Sequence, residues 1–216
     1  MLTFGLAYEV QESKFWRITK QLCEESLSEV KQDTLALMDT ISFMKEAGIL
    51  SNKALRELSD LVNQLDSLTD DQLVDFTLMF SSSEMQSALD TSEHISTLEE
   101  ALMARNENFS AEQFATICSV VAFEDAPGEQ ILQIKLPVFL HANLDRVLAW
   151  LSNTDTEGSP LTRYMQDFIH VASAYISMYD QGQVPEQLLS EFERAIKQNA
   201  LSIDVNQAIQ LVQIFQ

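Results

Sequence analysis

The side chains in this chain best equipped for chemistry are Asp167 with His170, the thiols of Cys23 and Cys118, and the acidic pairs Glu24-Glu25, Asp70-Asp71 and Glu99-Glu100. A carboxylate and an imidazole at i, i+3 share one helix face, the carboxylate-x-x-His spacing of di-iron helical bundles. Such a site needs a second element of the same kind and two further carboxylates from facing helices. The other histidines, His94 and His141, supply no second element, and three scattered histidines do not make a His-rich metal site. Cys118 would act as a nucleophile only beside a base, and no histidine is near it in sequence. Both cysteines fall among apolar residues at helical spacing, which suits reduced, buried thiols in a reducing compartment better than a disulfide. The pairs Asp70-Asp71 and Glu99-Glu100 fall where first helical turns are expected, and carboxylates there favour the positive end of the helix dipole. Glu24-Glu25 would need a cleft to do acid-base work. The chain carries no GxxxxGK[ST] or GxGxxG phosphate loop and no GxSxG nucleophile elbow. The expectation is a protein with no catalytic residue, no cofactor and no metal.

The elements around these residues are organised by a repeated phrase. Residues 68 to 80 begin with Leu68, Thr69 and Gln72; residues 109 to 121 begin with Phe109, Ser110 and Gln113. In each, a hydroxyl residue with glutamine three positions on is the capping box that starts a helix. Apolar residues follow at matched positions, Leu73, Phe76 and Phe80 against Phe114, Ile117 and Val121, which is one face of an amphipathic helix. A fainter copy begins at Leu201 and Ser202, so the copies are separated by 41 and 92 residues. Helix pairs of that length have the dimensions of alpha-solenoid units. A further copy is expected near 150 to 165, where Leu161-Thr162 precedes the apolar face of Phe168, Ile169 and Ala172.

At 216 residues and 46% apolar, the chain is long enough to bury a core; five glycines and four prolines leave few breaks in helix. The balance of 33 acidic against 13 basic residues, a formal charge of −20, repels a phosphate backbone and favours a basic protein partner. No apolar run reaches the eighteen residues of a membrane span, and the first ten residues lack a basic n-region, so neither a span nor a secretory signal is expected. Eight methionines and twelve phenylalanines lie mostly at helix-core spacing.

Residues 2 to 10 alternate Leu2, Phe4, Leu6, Tyr8 and Val10 with smaller or polar residues, the period of an extended arm, expected over 1–11. The remainder, 12–216, is expected to be one helical domain. From 12 to 47, Trp16, Cys23, Val30, Leu37 and Met44 are seven apart, with Leu27 and Ile41 between them, which predicts one long helix or a helix pair; Phe15, Leu22, Leu35 and Met38 form a second apolar stripe. Gly48 ends this segment, and 51–216 follows as repeat-like helix pairs. Ser51 starts a helix, Ser96 to Glu99 reads as another capping box, Pro137 and Pro185 open helices, and Ser159-Pro160 is read as the start of a helix running from Leu161 to Tyr179.

The phrase of an apolar residue, Ser or Thr, polar positions and an apolar helix resembles the helix-pair repeats of the FAST-kinase-like and octotricopeptide groups of organellar proteins, over residues 55 to 123 and 185 to 215. That resemblance implies an alpha-solenoid, usually in mitochondria or chloroplasts, often binding RNA on a basic inner surface. Here the copies carry Asp70, Asp71, Asp75, Glu112 and Asp204 instead. The expected fold is therefore all-α, helix-pair repeats forming an α-solenoid or an irregular helical bundle, with an extended N-terminal arm. The expected role is a non-catalytic scaffold, accessory or assembly subunit of a larger protein complex, mitochondrial or cytoplasmic, without direct nucleic-acid contact. Its partner-binding residues would be Leu2, Phe4, Leu6, Tyr8 and Val10, because an extended segment leaves backbone groups for a partner's sheet edge or groove. The alternatives are an organellar RNA-associated helical-repeat factor acting with a basic partner, and a small helical enzyme with a carboxylate site.

Overall fold

The apolar register that runs from Trp16 to Met44 is cut at Asp33, whose carboxylate accepts a hydrogen bond from Ala36 N–H and starts a new helix. In a computed structural model, which describes residues 13–31, 33–81, 91–121, 134–153, 160–179 and 183–216, the segment is accordingly two helices, α1 (Ser13–Val30) and α2 (Thr34–Glu46), packed on each other. The seven-residue seam holds through the break: Cys23, Leu27, Leu37, Ile41 and Met44 are buried. The second stripe does not hold. Met38 is buried, but Leu22 and Leu35 are more than half exposed, because the break at Asp33 leaves no continuous second face to cover.

Gly48 takes a positive φ of 65° and ends α2; Ile49 N–H donates to Met44 O and Gly48 N–H to Lys45 O, both at 2.9 Å, a Schellman closure that turns the chain back. Ser51 then caps α3 (Asn52–Val62), and a single 3-10 turn, Leu65–Ser67, leads into α4 (Asp70–Phe80). The sequence 91–121 does the same: α5 (Thr91–Ala104), a 3-10 turn at Asn106–Asn108, and α6 (Ala111–Cys118). Both capping boxes form. Thr69 and Ser110 accept from Gln72 and Gln113 N–H, and each glutamine side chain returns a bond to the cap N–H at 2.8 Å. The matched apolar residues, from Leu73 to Phe80 and from Phe114 to Val121, are all buried.

Four helices follow: α7 (Pro137–Ser152), opened by its proline, α8 (Met165–Met178), α9 (Glu186–Gln198) and α10 (Val205–Ile214). Three sequence expectations are corrected here. Ser96 lies inside α5, not at its start, because helix has already begun at Thr91; Glu99-Glu100 is therefore mid-helix and not in a first turn. Helix α8 begins at Met165 rather than at Leu161, which is buried in the turn before it, and no side chain caps α8. The last helix is capped by Asp204, with its own box to Gln207, so the faint copy starts at Ile203; Leu201 is fully exposed.

Among the described residues the protein is all-α, ten α-helices and no strand beyond one isolated bridge between Val121 and Ile134. The odd-numbered helices form one rank, α1 on α3, α3 on α5, α5 on α7 and α7 on α9. The even-numbered helices form the other, α2 on α4, α4 on α6, α6 on α8 and α8 on α10. The buried apolar residues from α1 to α10 join in one continuous core. None of the helices is long and apolar enough to cross a membrane among the described residues. The alternating stretch 1–11 expected as an arm lies outside the described residues, as does the loop 154–158.

Candidate functional site

The residues singled out for chemistry do not converge. His170 on α8 is half-buried, with its Nε2 3.0 Å from the Gln166 amide nitrogen; an amide N–H there requires the neutral ring nitrogen to accept, and burial holds the imidazole below its usual pKa. Burial raises the pKa of the Asp167 carboxyl on the same helix, and the like charge of Glu112 on α6 adds to the shift. His94 on α5 lies 3.3 Å from the Ser59 hydroxyl of α3, and the His141 ring stands edge-on to Tyr179. No group of three metal-binding side chains occurs among the described residues. Cys23 and Cys118 are both reduced and buried, and burial lifts the Cys118 thiol well above its usual range, which removes the thiolate a nucleophile needs. Glu99 has a different task. Its Oε1 accepts the N–H groups of Val138 and Phe139 at 2.8 and 3.0 Å, closing the open end of α7 from a neighbouring helix.

What the structure does bring together is a set of cations on backbone carbonyls. The Arg105 guanidinium donates to the carbonyls of Leu65, Asp66 and Leu68, at 3.2 Å to Leu65 and 2.8 Å to Asp66, and lies 3.4 Å from the Asp70 carboxylate. Arg146, 41 residues later, donates to the carbonyls of Asn106, Glu107 and Phe109, the same three places in the next 3-10 turn. A planar fork with several N–H donors satisfies carbonyls that the short turn leaves open, which a single ammonium cannot do in the same geometry. Arg146 also lies over the Trp150 ring, 4.5 Å from its centroid. Burial lowers its pKa, but the group stays charged at neutral pH. Arg194 of α9 reaches the Leu151 carbonyl at the end of α7 at 2.6 Å. At the other end of the rank, Lys31 bridges Glu57 at 2.8 Å and Asp60 at 3.2 Å on α3, and Lys53 donates to Glu24 O on α1. The latches thereby run along the odd rank, each joining an odd helix, or the residue just after it, to the neighbouring odd helix or the turn that follows it.

These latches leave the two ranks with different charge. The even helices contain Asp39, Glu46, Asp70, Asp71, Asp75, Glu112 and Asp167 against one lysine or arginine, Lys45 at the end of α2, whereas the odd helices set eight lysines and arginines against their carboxylates. The carboxylates crowd one another: Asp75 is raised by burial, then by Asp71 and Asp39. Gln113 ties α6 to α4 by donating to Asp71 Oδ1 at 2.6 Å while its Oε1 serves its own cap. Between α2 and α4 runs a groove of about 220 Å³ with an apolar floor of Met38, Leu78 and Met79 and with Asp39, Asp75 and Lys45 along it. The arginine register was open to sequence reading, since Arg105 and Arg146 are spaced by the same 41 residues as the two clear copies. The expected partner-binding residues Leu2, Phe4, Leu6, Tyr8 and Val10 lie outside the described residues.

No family model, no curated protein and no solved structure matches this chain.

Proposed function

We propose that this protein is a non-catalytic α-helical scaffold of the α-solenoid kind, an accessory or assembly subunit that holds a protein partner of basic character along its even-numbered helices. The observation that carries the reading is the difference in cation content between the ranks: one lysine among the carboxylates of the even helices, against carboxylates largely offset by lysine and arginine on the odd ones. Two ranks in which each helix contacts the next of its own rank, and two units latched in the same 41-residue register, support the solenoid reading. Contact of RNA phosphates with the even rank would set like charges together. On this reading the kinship with organellar helix-pair repeats would be one of architecture alone, since the even helices offer RNA a single lysine among carboxylates.

The test compares the wild-type chain with a variant in which Asp71, Asp75 and Glu112 are changed to lysine, each used to isolate complexes from native extract. Partners of basic composition retained by the wild type, released by raised salt and lost by the variant are the expected result. The same partners held by both chains at the same salt would refute a charge-read even face.

A further inference from the structure

The groove between α2 and α4 joins an apolar floor to carboxylates that the fold leaves unpaired. Met38 and Met79 are 3 and 6% exposed at its base, with Leu78 half-buried beside them and Leu35, 53% exposed, on the α2 side. Asp39 from α2 and Asp75 from α4 also line it, both exposed, and neither makes a hydrogen bond or ion pair with a described residue. The other acids of α4 are engaged: Asp70 lies 3.4 Å from the Arg105 guanidinium, and Asp71 accepts from Gln113. The groove's own cation, Lys45, is six residues beyond Asp39, about 9 Å further along α2, and pairs with neither carboxylate. Burial, then the negative charges of Asp71 and Asp39, raise the Asp75 carboxyl, so a positive charge brought between the two acids would be welcome.

Size and chemistry together select the occupant. A volume of about 220 Å³ is below the ~300–1,000 Å³ of clefts that hold small-molecule ligands. Two carboxylates do not make a metal site, and no group of three metal-binding side chains occurs among the described residues. A lysine or arginine side chain has the matching division, an aliphatic stem that covers apolar surface and a charged head held at its edge. Methionine side chains on the floor adapt to a stem of either shape. We infer that the groove between α2 and α4 seats one lysine or arginine side chain of a partner protein, its stem on Met38, Leu78 and Met79, its cation between Asp39 and Asp75, and an apolar neighbour of that residue against Leu35. This seat rests on the basic partner proposed above and says where on the even rank that partner is read. Glu112 and Asp167, outside the groove, then add only attraction at longer range, which salt screens.

The full chain, carbon-13-labelled in its methionine methyl groups, is titrated with a short synthetic peptide that is uncharged but for one arginine and has a leucine four residues after it. The Met38 and Met79 signals should shift saturably, and the same peptide with citrulline, an uncharged isostere, in place of arginine should leave them still. Asp39→Asn combined with Asp75→Asn should raise the dissociation constant about tenfold, with melting at or slightly above that of the wild type, so that lost binding is not lost fold. Glu112→Gln, on the same rank but outside the groove, should change the affinity by no more than about twofold. Wild-type Met38 and Met79 signals that do not move overturn the seat, as does a peptide that binds the double variant equally well. The seat and the charged face fail separately. Basic partners that the lysine variant at Asp71, Asp75 and Glu112 loses from extract, but that Asp39→Asn with Asp75→Asn keeps, overturn the groove and leave the face; partners kept by both variants overturn both.

Discussion

Helices α6 and α10 begin alike and end in different surroundings. Ser110 with Gln113 and Asp204 with Gln207 form the same two-way box, so both helices have their first N–H groups satisfied within four residues. From that point they diverge. Helix α6 buries Phe114, Ala115, Ile117 and Cys118 out of eight residues, because α4 lies on one side of it and α8 on the other. Helix α10 is longer and buries Leu211 alone, with α8 beside it in the even rank and no described helix beyond. The two-way box is thus a property of the local chain, and burial a property of position in the rank.

The widest split between the two helices should come from truncating their apolar faces. Phe114 lies 5.5 Å from the Phe139 ring and 5.6 Å from that of Trp150, so Phe114→Ala opens a hole in the core. It should cost about 3–5 kcal/mol by urea denaturation, whereas Ile209→Ala should change stability by no more than about 0.5 kcal/mol. Equal losses would mean that the face of α10 is covered within its own chain.

The latches give the next largest effect. Arg146→Ala leaves three carbonyls of the Asn106–Asn108 region without their donor and should cost about 2 kcal/mol, the range for hydrogen bonds to a charged group. Arg146→Lys should recover less than half of this, because an ammonium cannot reproduce the fork. Arg194→Ala removes one carbonyl contact to Leu151 and a contact to Glu191, and should cost less, about 1 kcal/mol. If Arg146→Lys equals the wild type in chemical denaturation, charge rather than planar geometry makes the latch.

Removing the caps brings the helices closer together. Ser110→Ala should lower global stability by about 1 kcal/mol, while Asp204→Ala should fray α10 with little global change. Amide hydrogen exchange separates the two outcomes: Asp204→Ala should lose protection over residues 205 to 214 alone.

The smallest effect is a pH dependence in the even rank. The folded-state pKa of Asp75 is raised, by burial first and by Asp71 and Asp39 after it, so the folded chain holds that proton more tightly than the unfolded one. The carboxylate therefore destabilises the fold above its folded pKa and not below its unfolded one. Asp75→Asn should raise the melting temperature slightly at neutral pH, and the gain should vanish as the pH falls below the ordinary carboxylate range. A gain that persists in acid would trace to the amide itself rather than to relief of charge.

Much of this was legible in the chain, and for reasons visible residue by residue. The boxes at Thr69 and Ser110 could be read because both partners of each bond lie within one turn. Ser96 to Glu99 has the same letters and is not a box, since helix already runs through it from Thr91 and Glu99 is spent on Val138 and Phe139 some forty residues away. The segment 12–47 could be read as one long helix or a helix pair, and only the structure chose the pair, because the seven-residue seam continues across Asp33 and does not mark the division. The candidate site shifted more: the acidic copies were plain in sequence, but their collection on one rank depends on which helices become neighbours.

By itself, the sequence determined the all-helical class, the helix starts where a capping side chain lies within three residues of its partner, and the core faces of α4 and α6. These follow from short-range bonds and a 3.6-residue period, which operate on the local chain alone. Tertiary structure alone decided that Arg105 and Arg146 would latch successive turns, that Glu99 would cap a different helix, and that α10 would pack on α8 through Leu211. Each of those outcomes joins or separates groups about forty residues apart, and no local propensity encodes which surfaces meet at that distance.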